Sequence, residues 1–248
     1  MPRYKLLIAY DGTSYGGWQS QPNSICIQDL LEKALTILAR QKCEVIGSGR
    51  TDAGVHALGQ VAHFTTDEPI DTGRVLFSLN ALLPKEIRAL DISEAHDTFH
   101  ARFDATGKIY HYRIHLDPVL DPFKRKYALH VQQKINLDAL KQAAKHFTGT
   151  HDFSSFANSQ TKGSAAKDPV RTLRRLDVIE EEGGVRLEFE GTGFLYKMVR
   201  NITGTLLEVA EGKRAPEDIA SILLAKDRSK AGKAAFPHGL FLVKVFYP

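Results

Sequence analysis

The sequence predicts an α+β protein in which a strand–helix–strand–strand–helix–strand unit occurs twice in series. Three observations carry this. Apolar residues switch along the chain between the two-residue repeat of strands and the 3.6-residue repeat of helices. Turn and cap residues fall at the switches. The order of elements read in residues 1–103 recurs in residues 104–248.

Tyr4 to Tyr10 reads as the first strand, closed by the turn signal Asp11-Gly12. A Gly/Ser/Gln-rich loop, Gly12 to Ser24, leads into a helix whose Ile27, Leu30, Leu31, Ala34, Leu35 and Leu38 form one amphipathic face. Cys43 to Ile46 and Val61 to Phe64 read as strands on either side of the Gly-rich loop Gly47 to Gly59. Asp71-Thr72 caps a helix running to about Leu82, Pro84 breaks the chain, and Ile87 to Ile92 is the next strand. In the second half Ile109 to Leu116 alternates as a strand, and Asn136 caps a helix with Leu137, Leu140, Ala144 and Phe147 on one face. Val170 to Glu181 and Val185 to Phe189 form a hairpin across Gly183-Gly184. Leu195, Val199, Ile202, Leu206 and Val209 mark a long helix, Pro216 starts a shorter one, and Leu240 to Phe246 is the last strand. These orders predict two ferredoxin-like (βαββαβ) halves, 1–103 and 104–248, each a sheet with helices on one face, facing each other around a basic catalytic cleft.

A chain of 248 residues, 43% hydrophobic and 25% charged, builds its own core without staples. No apolar run approaches the ~20 residues of a membrane span, and the short apolar run at Leu6 to Ala9 lacks the features of a signal peptide. Cys26 and Cys43 are isolated, so neither a zinc site nor a disulfide framework is indicated, and a reducing cytoplasmic setting is expected. Residues 1–102 carry 10 Lys+Arg against 12 Asp+Glu, whereas residues 103–248 carry 23 against 17. The basic excess therefore lies wholly in the second half, densest at Lys124-Arg125-Lys126 and Arg171 to Arg175. Such asymmetry fits a polyanionic partner, with a solvated charged surface as the plain alternative.

The segment Gly47-Ser-Gly-Arg-Thr-Asp-Ala-Gly-Val-His-Ala57 carries the most chemistry. A phosphate-binding loop would need Gly-Lys-Ser/Thr where Gly54-Val55 stands, and a dinucleotide fingerprint would open a helix where this loop enters a strand. Two readings remain: a catalytic Asp52 presented by a tight loop with Arg50 nearby, or a structural turn.

Gly-Arg-Thr-Asp-Ala-Gly-Val-His-Ala resembles the active-site motif of the tRNA pseudouridine synthase A (TruA) family. Tyr10-Asp-Gly-Thr-Ser-Tyr-Gly-Gly-Trp18-Gln19, Phe99-His-Ala-Arg-Phe103 followed by Tyr110-His-Tyr-Arg113, and Phe194-Leu-Tyr-Lys-Met-Val-Arg200-Asn-Ile202-x-Gly204 are similar to its other blocks. Asp152-Phe-x-x-Phe156 and His238-Gly-Leu240-x-Leu-Val243 fit its C-terminal segments, so the resemblance runs in order over almost the whole chain.

The resemblance implies a cofactor-free isomerase that works as a homodimer on the anticodon stem-loop of tRNA, converting uridines 38, 39 and 40 to pseudouridine. It assigns the nucleophile to Asp52, which would attack either C1′ of the ribose or C6 of the uracil. A nucleophilic carboxylate must be ionised, and the resemblance assigns the stabilising cation to Arg200. It matches Tyr110 to an active-site tyrosine that stacks on the uracil, and Arg50 to a loop arginine that helps flip the base. The chemistry needs neither redox change nor activated water, so no metal is called for. The His111/His115 spacing fits no zinc pattern. A non-catalytic RNA-binding module and a metal-dependent hydrolase using Asp52 and His56 are the competing functions. Ser159 to Asp168, polar and Gly-containing, reads as a mobile loop.

Overall fold

In the computed structural model, which describes residues 1–158 and 168–248, the alternation of the first strand becomes one-sided burial. The expected loop at 159–168 therefore lies, except for Asp168, outside the described residues. β1 (Arg3–Tyr10) buries Tyr4, Leu6, Ile8 and Tyr10, each no more than 3% exposed. α1 (Ile27–Ala39) buries Ile27, Leu31, Ala34 and Leu35, α2 (Thr72–Leu82) buries Leu79, and the two helices pack on each other. Asp71 caps α2 as the sequence predicts, its side chain accepting from Arg74 N–H at 3.0 Å.

The fold is α+β, and its chain divides into two units: Met1–Thr106 with Phe241–Pro248, and Gly107–Leu240. In the first unit β1 lies between β3 (His56–Thr65) and β4 (Ile87–Ala95), antiparallel to both. β2 (Ile46–Gly47) is antiparallel to β3, which gives the order β4-β1-β3-β2. The edge of β3 away from β1 is shared. β2 takes its far end, at Ala62 and His63, and β10 (Leu240–Phe246) runs parallel to its start, with Phe241 and Leu242 opposite His56 and Ala57. Residues 241–248, grouped with the second half from the sequence, thus pack with the first. β3 also begins at His56, well before Val61. Almost every residue along it is buried on either face, so it shows no alternation to read.

In the second unit β5 (Gly107–His115), β9 (Gly184–Gly191), β8 (Val170–Glu181) and β7 (Gly149–Asp152) form an antiparallel sheet in that order, with β6 (Leu129–His130) parallel to β5. The β8–β9 hairpin closes at Glu181 and Gly184, as the Gly-Gly turn predicts. α3 (Leu137–Lys145) is capped by Asn136, whose side chain accepts from Asp138 and Ala139 N–H at 3.0 Å. It packs on α4 (Met198–Ala210), and α5 (Asp218–Ala225) follows. α4 is buried on nearly every side. At Gly204 a Cβ would stand 1.7 Å from the Lys233 carbonyl oxygen, so no other residue fits there. The helix starts after Leu195 because Lys197 is left-handed, at φ 59°.

Candidate active site

The loop 48–55 joins β2 to β3, and its backbone is tied down at both ends. Ser48 N–H donates to the Val61 carbonyl at 2.7 Å, and its hydroxyl donates to Gln60 Oε1 at 2.7 Å. Gln60, fully buried, returns its Nε2 to the Gly49 carbonyl at 3.0 Å. One residue before the aspartate, the Thr51 carbonyl accepts from Trp18 N–H at 3.0 Å and the Thr51 hydroxyl meets Tyr10 Oη at 2.8 Å. Burial pushes the Tyr10 hydroxyl far above the usual tyrosine range, against the weaker opposing pull of its hydrogen bonds to Thr51 and Gln60. It therefore stays a neutral hydrogen-bonding group. The Asp52 carbonyl accepts from Val55 N–H at 3.1 Å, and Gly54, at φ 78°, makes the turn.

The segment 10–18 forms the bed of this loop. Gly17 sits at φ 101°, and a Cβ there would stand 2.5 Å from the Thr51 carbonyl oxygen and 3.0 Å from the Asp52 carbonyl carbon. A Cβ on Gly12 would come within 2.0 Å of the Val55 carbonyl oxygen. Trp18, 3% exposed, lies against Gly47. Buried His56 accepts the Gly12 N–H on Nδ1 at 3.1 Å, stands 3.1 Å from Asp11 Oδ1, and stacks on Phe241 at 4.6 Å. The outcome is a carboxylate on a rigid mount: Asp52 is half-buried, while Arg50, two residues earlier on the same loop, is exposed. Such a mount suits a nucleophile that must meet one carbon of a bound substrate.

Asp52 and Arg50 belong to the first unit, Tyr110 and Arg200 to the second. Tyr110, Tyr112 and Ile114 are buried and share a face of β5. The Tyr110 ring meets Phe194 edge-on, with centroids 5.0 Å apart. Burial raises the Tyr112 hydroxyl, the Arg200 guanidinium lowers it less, and it donates to the Phe236 carbonyl at 2.7 Å. Arg200 stands in the first turn of α4, half-buried, its Nε donating to the Ala235 carbonyl at 2.8 Å while Ala235 N–H returns to the Arg200 carbonyl at 2.9 Å. That exchange aims the guanidinium by its backbone-facing nitrogen. Next to it, buried Asn201 donates to the Phe156 carbonyl at 2.7 Å and to Asn158 Oδ1 at 3.0 Å, and accepts from Arg228 Nη2 at 2.9 Å.

Tyr10, Trp18 and Gln60 hold the Asp52 loop, and Asn201 stands beside Arg200, without having been singled out from the sequence. Three of them, Tyr10, Trp18 and Asn201, lie inside the quoted motif blocks, which was the available signal. Gln60 had none. Among the described residues no group of three or more His, Cys, Asp or Glu side chains is arranged to hold a metal ion, and no helix is long and apolar enough to cross a membrane.

Against known proteins, the family model described as tRNA pseudouridine synthase matches residues 6–104 and 143–248. The chain belongs to the tRNA pseudouridine synthase family, of the TruA type. It is similar to tRNA pseudouridine synthase A 1 of Protochlamydia amoebophila, 58% identical across 98% of this chain and 96% of the relative. It is also similar to tRNA pseudouridine synthase A of Bacillus subtilis, at 46% identity over 99% of both chains. The tRNA pseudouridine synthase A of Chlamydia muridarum is 48% identical over 98% of this chain and 91% of the relative. The pseudouridine synthase is therefore an isomerase. Arg50, Asp52 and Arg200 fall inside the family-matched segments, and Tyr110 falls between them, in a stretch the near-full-length relatives span.

Proposed function

We propose that this pseudouridine synthase isomerises uridines 38, 39 and 40 in the anticodon stem-loop of tRNA, with Asp52 as covalent nucleophile. The observation that carries the reading is the mount of Asp52. The loop backbone is fixed through Thr51 to Tyr10 and Trp18, and Gly17 lets the supporting segment 10–18 come within van der Waals reach of the Asp52 peptide. The C1′–N1 bond breaks and a C1′–C5 bond forms. N1 gains a proton and C5 loses one, so the product is an isomer and the carboxylate is regenerated. Attack at C1′ and attack at C6 both satisfy this balance.

Arg50, exposed on the same loop, takes the space of the extruded base, a step that costs a few kcal/mol. Tyr110 stacks on the uracil, and Arg200 holds the negative charge of the nucleophile on the same uridine. The order β4-β1-β3-β2 supports reading the first unit as a ferredoxin-like half, and we read the second unit as its counterpart. The basic excess of residues 103–248 supports a phosphate-backbone contact there. We place the enzyme in the cytoplasm as a homodimer; buried, free Cys26 and Cys43 fit a reducing compartment. The test is incubation with an unmodified tRNA transcript and position-by-position mapping of pseudouridine. Product at 38, 39 and 40 supports the reading, and product elsewhere alone overturns it.

A further inference from the structure

The turn that follows β4 is braced from below and bare on top. His100 N–H donates to Asp104 Oδ2 at 2.8 Å, and Asp104 N–H returns to the His100 carbonyl at 3.0 Å. His100 Nδ1 accepts from Arg102 and Phe103 N–H, both at 3.2 Å. Beneath, Ala101 N–H donates to buried His63 Nδ1 at 3.1 Å, and the Ala101 carbonyl accepts from Tyr247 Oη at 2.6 Å. With its backbone so held, the turn projects two side chains. Phe103 is 72% exposed, and the Arg102 guanidinium lies 5.8 Å from its ring centroid. The Phe103 ring is not loose, because it stacks on His100 at 4.2 Å and 30°.

A phenylalanine left in water forgoes the stabilisation of burial, and here four hydrogen bonds within the turn hold the backbone from which that ring faces outward. A rigid aromatic face beside a guanidinium has the chemistry of a nucleobase with its phosphate: the ring stacks on the base and the cation meets the backbone. We propose that Phe103 and Arg102 form a stacking platform for an unpaired nucleotide of the tRNA, separate from the reacting uridine. This rests on the enzyme's acting on tRNA, not on the identity of its nucleophile. The first half of the chain carries a slight negative excess, so the platform works by stacking more than by a broad positive field. The carboxylate on the same turn, Asp104, accepts from His100 N–H.

The experiment measures Kd for an unmodified tRNA transcript, and its salt dependence, for wild type, Phe103→Ala, Phe103→Trp and Arg102→Ala, with sedimentation of each protein. Phe103→Ala should weaken binding about 5- to 150-fold, the range of one lost base–aromatic stack. Phe103→Trp should stay within about threefold of wild type, and Arg102→Ala should flatten the slope of log K against log salt by about 0.7 to 0.9. Single-turnover rates at saturating enzyme should match wild type in all three variants. Unchanged Kd in Phe103→Ala overturns the platform while leaving the wild-type activity, and hence the functional reading, intact. Phe103→Ala that alters the sedimenting species, with the affinity of that species unchanged, shows instead that a second copy covers this ring. Wild-type protein that neither binds nor modifies tRNA overturns both.

Discussion

Tyr10 Oη and Thr51 Oγ1 stand 2.8 Å apart, both buried, and the next residue is Asp52. The bond joins the end of β1 to the centre of the loop that carries the carboxylate, across 41 positions of sequence. Tyr10→Phe keeps the ring and leaves the Thr51 hydroxyl without this partner, which costs about 1–3 kcal/mol of stability. The single-turnover rate should fall roughly three- to tenfold with tRNA affinity unchanged. Thr51→Val should do the same. The double variant should be no worse than the poorer single, because the Tyr10–Thr51 bond is already lost in each. Additive losses in a double-mutant cycle would show that the bond does not set the position of Asp52.

Gly17 offers a sharper test of the mount. A methyl group there meets the Thr51 carbonyl oxygen at 2.5 Å in a left-handed backbone, so Gly17→Ala must displace the Asp52 loop. Gly212 is also left-handed, at φ 74°, but nothing lies within 4 Å of the added carbon. Gly212→Ala should cost about 1 kcal/mol and leave activity intact. Gly17→Ala should lose more than tenfold in rate. Equal rates for the two variants, in proteins shown to be folded by thermal melts, would refute the close approach as a functional constraint.

Acid should loosen the first unit through His63. Desolvation holds its pKa down to about 4, the His100 and Arg3 charges push the same way, and Asp104 opposes them weakly. Its Nδ1 accepts from Ala101 N–H, which a proton on that nitrogen would abolish. The unfolded chain takes up this proton near pH 6.5 and the folded chain only near pH 4. Stability from this group is therefore full above about 6.5 and is lost as pH falls from there towards 4, by up to ~1.4 kcal/mol per pH unit. Thermal melts of wild type and His63→Asn, whose amide oxygen can take the place of Nδ1, measure it. A slope between pH 6.5 and 4 that is the same in both proteins would assign the acid sensitivity to other groups.

The helices and hairpin were legible because their signals are local. Asp71 and Asn136 cap where their side chains suggest, and Gly183-Gly184 turns the β8–β9 hairpin. What escaped depends on distant partners. β3 carries no alternation because it is covered on both faces, and β7, Gly149–Asp152, is a short polar strand defined by its pairing with β8. The helical spacing of Leu195 with Val199 misplaced the start of α4, since a left-handed Lys197 intervenes. The loop of Asp52 and Arg50 was readable as a motif. Its mount was not: the contacts of Tyr10, Gly17 and Trp18 with Thr51 cross more than thirty positions of sequence.

Arg200 is anchored through Nε to the Ala235 carbonyl, which orients the planar fork that the proposed pairing with the nucleophile needs. Arg200→Ala should be nearly inactive and Arg200→Lys intermediate, since lysine keeps the charge and loses the fork. Both should melt close to wild type, because the side chain is only half-buried. Single-turnover rates decide it, and wild-type rates in Arg200→Ala would remove this arginine from the chemistry.

Asp52→Asn probes the proposed nucleophile itself. Asparagine keeps the size of the side chain and the backbone bonds that hold residues 51 to 55. The measurement is pseudouridine formed at positions 38, 39 and 40 of an unmodified tRNA in a single turnover with enzyme in excess, beside the Kd for the same RNA. No detectable product is expected, with an affinity within a few-fold of wild type. Retention of more than a few per cent of the wild-type rate would contradict Asp52 as the nucleophile.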